Sequence, residues 1–275
     1  MNKTTLAAIA GLALAQLATQ AAVTAISESG GDADRFAIIQ PYPDPVAQPL
    51  WVGSVFQEDA WMFTDRTHEW NGPAFDASGN LLTTSGGAVP ATILGLPPYL
   101  VGWQYIATAN QNRDNASYTL TLTLDRPSKI YLLLDNRLGD GSALDPPTLG
   151  SVGSGLMFWV ADMGFQMVNT GLSPNGQPDF VGADEGGQLS PQGSFPDLRT
   201  HGTSGLGTGA GVQINNYDTV YELDVPAGDF TLKEQNGGSL NMYGVVVVPE
   251  PQTLALAAGI GLLAFVGLRR KFNKA

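Results

Sequence analysis

The stretch from Tyr118 to Leu124 alternates apolar residues with threonine without a break, and this narrows the choice of fold sharply. Tyr118, Leu120, Leu122 and Leu124 fall on one face of an extended chain, and Thr119, Thr121 and Thr123 on the other. Such half-buried alternation belongs to an antiparallel sheet with one solvated face. Asp125 to Ser128 then reads as a turn, with Pro127 ending the hydrogen-bonded ladder. Ile130 to Leu134 is apolar throughout, as a strand covered on both faces would be. The two segments are expected to form a hairpin-like pair in the middle of a sandwich.

Shorter segments repeat the theme. Trp51–Phe56, Trp61–Phe63, Leu100–Thr108, Leu156–Val160, Val220–Val225, Phe230–Lys233 and Met242–Val248 are predicted strands. Val225 to Asp229, with Pro226 and Gly228, forms a turn between two of them. No helical periodicity longer than a few turns is visible in residues 26–248. The predicted class is therefore all-β, an antiparallel β-sandwich of jelly-roll-like rhythm. In outline it is similar to galactose-binding-like and carbohydrate-binding sandwich modules, though a fold by itself does not specify a function. Residues 171–211, rich in Gly and Pro, are expected to be one long loop.

The chain carries 13 Lys+Arg against 25 Asp+Glu, a net charge of −12. Lys3, Arg269, Arg270, Lys271 and Lys274 all lie at the two ends, so the stretch between them is more acidic still. A surface of that sign repels nucleic acid and anionic lipid, and DNA or RNA is set aside as a partner. It suits solubility, divalent cations or neutral polysaccharide. The chain has no Cys, which is compatible with an oxidising compartment.

The two ends have a different character. Lys3 followed by the apolar Leu6 to Ala18 and then by small residues reads as a signal peptide, residues 1–25. Val23-Thr24-Ala25 and Thr19-Gln20-Ala21 are both plausible cleavage sites. At the other end, Pro249-Glu250-Pro251 breaks a valine run, an uncharged stretch from Thr253 to Leu268 follows, and Arg269, Arg270 and Lys271 close it. Sixteen residues of helix at about 1.5 Å each span roughly 24 Å, a little less than a hydrocarbon core of about 30 Å. Snorkelling basic side chains cover part of the difference, and by the positive-inside rule they keep that end in the cytoplasm. A single transmembrane helix is thus expected in 249–275, preceded by an extended, protease-accessible spacer.

This three-part tail resembles the PEP-CTERM sorting signal of Gram-negative bacteria, recognised by the membrane protease/transpeptidase called exosortase. The resemblance covers the last 27 residues. It implies recognition at Pro249, Glu250 and Pro251, a cytoplasmic stop at Arg269, Arg270 and Lys271, and a link to exopolysaccharide or biofilm production. It implies no catalytic role.

Other candidate residues come from the body. Asp135, Asn136 and Arg137 follow the buried strand, where they could meet a ligand or merely clamp a loop. Trp70, beside Asn71-Gly72-Pro73, is the tryptophan expected to be exposed as a sugar-stacking platform. Core packing is expected for Trp51 and Trp159. Loop carboxylates (Asp140, Asp145, Asp184 and Glu185) offer oxygen ligands for a structural calcium ion, with solvated surface charge as the plainer account. His68 and Glu69 make a conceivable acid/base pair, whereas Ser154 and Ser204 read as loop residues. No cofactor is expected.

The sequence thus describes an exported, non-enzymatic envelope or extracellular-matrix protein. The secretion machinery, the inner membrane and exosortase are its partners in transit, and extracellular polysaccharide is a partner after it. A secreted carbohydrate-binding module is the alternative, and a glycan-active hydrolase comes third.

Overall fold

A computed structural model describes residues 22–30, 55–58, 62–63, 66–83, 92–150, 157–188, 214–235 and 240–250; at 66–67, 69 and 184–188 only the backbone is described. Along this chain the strands are β1 (Val23–Ser29), β2 (Arg66–Asn71), β3 (Ala74–Phe75), β4 (Thr92–Ile93), β5 (Gln104–Ile106) and β6 (Thr119–Leu124). They continue with β7 (Ser128–Asp135), β8 (Gln166–Met167), β9 (Phe180–Gln188), β10 (Ile214–Val225), β11 (Gly228–Leu232) and β12 (Gly244–Pro249). One short α-helix, α1 (Phe158–Asp162), is present among the described residues.

The alternation in β6 is realised as expected: each leucine is buried and each threonine is half-buried. β6 is the middle strand of a three-stranded sheet, ordered β1-β6-β11 and antiparallel throughout. Its outer face is polar, with Thr121 and Thr231 Oγ1 atoms 2.9 Å apart and Thr123 donating to Asp229 at 2.7 Å. β7, buried almost along its whole length, belongs to the second sheet, ordered β2-β9-β10-β7-β12-β5, with β8 also paired to β10. Leucines of β6 and β7 share one core with Val220, Val245 and Val246. The architecture is an all-β sandwich of antiparallel, curled sheets.

The expected hairpin of Tyr118–Leu124 with Ile130–Leu134 does not form. The turn at 125–127 carries the chain from one sheet to the other, and β7 pairs with β10 instead, Leu133 opposite Val220. The turn after Val225 does the same for β10 and β11. Two crossings therefore lie side by side, Leu124 opposite Gly228 and Ser128 opposite Val225. The burial patterns already differ between the two segments. A strand with one wet face and a strand with none cannot easily be neighbours in one sheet.

The larger sheet curls so that its two edge strands approach each other. Five strand steps separate β2 from β5, which in a flat sheet would be about 24 Å. Yet the rings of Trp70 in β2 and Tyr105 in β5 stand edge to face at 5.9 Å, and Phe56 lies 5.6 Å from Trp70. The Tyr105 hydroxyl donates to Met62 O at 2.5 Å. Curling places Trp70 inside, against β12. A Cβ on Gly244 would sit 2.8 Å from the Trp70 ring and 3.2 Å from Leu133 Cδ1, so the ring needs a bare backbone there.

Two further expectations are corrected. Of the strand expected at Leu156–Val160, Phe158 to Val160 instead belong to the helical turn Phe158–Asp162, entered through left-handed Met157 (φ 58°), and Leu156 lies outside the described residues. A five-residue apolar run has no period that separates strand from helix. Trp159 is buried as expected, donating its indole N–H to Glu234 O at 2.8 Å. The loop expected at 171–211 contains β9, a strand inside the larger sheet. Its Gly182 serves close packing, since a Cβ there would lie 3.0 Å from Ile214 Cγ2 and 3.1 Å from Gly72 O. Residues 189–211 of that expected loop lie outside the described residues.

One half-buried acid ties β1 to the residue that enters β6. Glu28 accepts a hydrogen bond from the Tyr118 hydroxyl, while its second carboxyl oxygen is buried with no hydrogen-bond partner among the described residues. Burial pushes its pKa from 4.5 up to about 7, with the Tyr118 bond opposing the shift. The folded state thus holds this proton more tightly than the unfolded chain. The resulting stability is complete below pH 4.5 and is lost as pH rises towards 7, a change on the order of 3 kcal/mol. Glu28→Gln is expected to abolish that part of the slope. Urea titrations of both chains at pH 4.5 and 7 measure it, and an unchanged slope in the variant would exclude Glu28 as its source.

Candidate functional site

Asp135 ends β7, and it and Asn136 fold inward. Asp135 is 1% exposed, and its carboxylate takes the Arg137 guanidinium at 2.6 Å, the Arg137 backbone N–H at 2.9 Å and the Asn241 backbone N–H at 2.7 Å. Asn136 accepts from the Thr219 hydroxyl at 2.6 Å, donates to Ala143 O at 3.4 Å, and its backbone N–H reaches Tyr217 O at 2.8 Å. The three residues tie the 136–150 loop to β10 and to the segment entering β12. Of the two roles open to them, the geometry is that of a clamp.

Trp70 is not an exposed platform. It is fully buried, because the curled sheet brings β5 and β12 over it. Its Asn71-Gly72-Pro73 neighbours read as a turn in sequence, but Asn71 still pairs with Gly182 as the last residue of β2.

Asp140 and Asp145 do converge, on one serine. Ser142 donates its backbone N–H to Asp140 at 2.8 Å and its hydroxyl to Asp145 at 2.7 Å, in an exposed loop. Asp184 and Glu185 lie elsewhere, as consecutive residues of β9 opposite Glu69 and His68. They are strand residues, not loop residues, and their side chains lie outside the described set. No group of three or more His, Cys, Asp or Glu side chains that could hold a metal ion occurs among the described residues.

His68 is buried, with its ring edge-on to Phe63 at 5.6 Å. The Glu69 side chain, Ser154 and Ser204 lie outside the described residues, so the conceivable acid/base pair has only its histidine on view.

A cleft of about 200 Å³ is a feature that sequence reasoning missed. Pro73, Leu94, Pro97, Pro98, Leu172 and Phe180 line it, from segments far apart in the chain. Its one carboxylate, Asp179, is 1% exposed and accepts from the Tyr99 hydroxyl at 2.9 Å and the Thr170 hydroxyl at 2.6 Å. Burial and that carboxylate push the Tyr99 hydroxyl pKa far up, so it stays a donor. Asp179 is thereby committed to holding the wall together, and the cleft offers a ligand mainly apolar surface.

The C-terminal end of the body has the sharpest geometry. β12 lies between β7 and β5, with Val245, Val246 and Val247 opposite Ile106, Tyr105 and Gln104. Those three valines are 0% exposed. Pro249 ends the strand and is still buried, while Glu250 is exposed. The expected accessible spacer is therefore missing on the N-terminal side of Glu250. Pro251, the apolar stretch Thr253–Leu268, and Arg269, Arg270 and Lys271 lie outside the described residues. No helix among the described residues is long and apolar enough to cross a membrane.

Residues 247–271 match the PEP-CTERM protein-sorting motif. No curated protein and no solved structure matches the chain. The motif marks an exported chain that passes through a membrane-anchored stage and is processed by an exosortase.

Proposed function

We propose that the protein is a non-enzymatic component of the cell envelope or extracellular matrix, delivered there by exosortase sorting in association with exopolysaccharide production. The observation that carries this reading is the sorting motif at 247–271, joined without a gap to a β-sandwich. The acidic surface adds support, since a protein of net charge −12 stays soluble and does not adhere to anionic lipid or nucleic acid. Asp135, Asn136 and Trp70 are buried, which weighs against them as contacts for a polysaccharide.

Export at the N-terminus belongs to the same proposal. β1 begins at Val23, with Ala22 fully buried, so leader cleavage after Ala25 would remove part of a paired strand. Cleavage after Ala21, the other of the two sites, leaves β1 whole.

Expression in cells with and without an exosortase tests the reading, by intact mass and by fractionation. With the enzyme, a shortened chain in the envelope or matrix fraction is expected. Without it, a chain ending at Ala275 should accumulate in the inner membrane. A chain ending at Ala275 in both strains would overturn the proposal.

A further inference from the structure

Asp179, in the wall of the proline-lined cleft, is a buried carboxylate that no cation answers. Its three donors are neutral: the Tyr99 hydroxyl, the Thr170 hydroxyl and the Thr170 backbone N–H at 3.3 Å. The described ion pairs join Arg113, Arg126, Lys129 and Arg137 to other carboxylates. No Lys, Arg or His occurs among the described residues that line the cleft. Asp135, with the same 1% exposure, is by contrast paired with Arg137. The donors fix the position of the Asp179 carboxylate and leave its charge uncancelled. A charge held behind an apolar wall is screened far less than one in water, so it acts on an occupant of the cleft without touching it.

The rest of the cleft narrows what that occupant is. Pro73, Leu94, Pro98 and Leu172 present apolar surface, and Ser173 adds a hydroxyl. A volume of about 200 Å³ falls below the roughly 300–1,000 Å³ of clefts that enclose whole drug-sized ligands, so it accepts a single ring. Gly95, Pro98 and Leu172 are exposed, which leaves the cleft open to a polymer that continues beyond it. A quaternary ammonium would call for open aromatic faces, and Phe180 is only 1% exposed. We propose that the cleft seats one unit of an amine-bearing polysaccharide, with the C–H face of the sugar ring on the prolines and leucines and its ammonium drawn by Asp179. The net charge of −12 attracts such a polycation at longer range. This inference rests on the matrix reading above and gives the polymer its chemistry, an amino sugar rather than a neutral one.

Calorimetric titration of the full chain in detergent with a glucosamine tetramer, at a slightly acidic pH where the amines are charged, tests it. Binding is expected, and the N-acetylated tetramer, uncharged on the same rings, should bind at least about tenfold more weakly. Asp179→Asn should weaken binding of the amine form by at least about tenfold as well. Leu172→Lys is a second variant that spares the core, since Leu172 is 44% exposed, and its added cation should weaken binding to the same degree. Absence of binding, or equal binding of the acetylated tetramer, would overturn the inference. So would unchanged binding by either variant, because overall acidity would then hold the polymer. A lysine tetramer that binds as tightly as the sugar would overturn the polysaccharide assignment. The titrations use purified protein, so their failure leaves sorting intact, and sorting stands or falls on the intact mass in the two strains.

Discussion

Trp70→Ala is expected to destabilise the sandwich by about 3–5 kcal/mol, the range for emptying a large aromatic site in a core. The ring touches both ends of the curled sheet: Phe56 and Tyr105 at 5.6 and 5.9 Å, and the bare face of Gly244. Urea unfolding read by circular dichroism measures it. Phe158→Ala is the control, since Phe158 is 36% exposed and should cost under about 1 kcal/mol. If both variants lose the same small amount, the sheet is not closed over the ring. A tryptophan that stacked sugars from the surface would instead leave stability untouched.

The second large effect is expected at Asp135. Asp135→Ala should cost about 3–5 kcal/mol, as removing one partner of a buried pair does. The substitution removes the acceptor of the Asn241 N–H and of the Arg137 guanidinium together. Arg137→Ala should cost less, because its side chain is 22% exposed and the Asp135 carboxylate keeps two backbone donors. The order of the two variants is the informative result. Equal losses would mean that the ion pair, and not the backbone contacts, holds the clamp. Because Asn241 leads into β12, the Asp135 variant should also raise hydrogen exchange in Val245 to Val247 more than in β6.

The strands were legible wherever burial was periodic. β6 follows directly from Leu120, Leu122 and Leu124, and β7 from the unbroken apolar run after Pro127. Their partners were not legible. A turn such as 125–127 reads the same whether it folds a strand back onto its neighbour or passes it to the facing sheet, because both need the same local residues. β9 was hidden by its glycines, Gly182, Gly186 and Gly187, which in sequence suggest a mobile loop. At Gly182 the cause is crowding against Ile214 and Gly72, a contact between segments distant in the chain. The Pro-lined cleft was invisible for the same reason: Pro73, Pro97, Leu172 and Phe180 meet only after three segments have packed.

The functional residues divide along the same line. Pro249-Glu250-Pro251, the apolar stretch and the basic cluster are consecutive, so a linear motif was enough to identify the sorting signal. Asp135 and Trp70 looked like ligand contacts, because a polar triplet after a strand and a tryptophan beside a turn carry no record of what faces them.

By itself, the sequence determined the β class, the acidic character of the body and its address, since each depends on neighbours along the chain. Tertiary structure alone decided which strands pair, that Trp70 is enclosed, that Asp135 is a clamp and that the sorting motif begins inside a central strand. These depend on contacts across tens to more than a hundred residues, Asn241 to Asp135 among them. Such contacts arise when curled sheets bury both faces of β7 and β12, and local pattern cannot register what covers the second face.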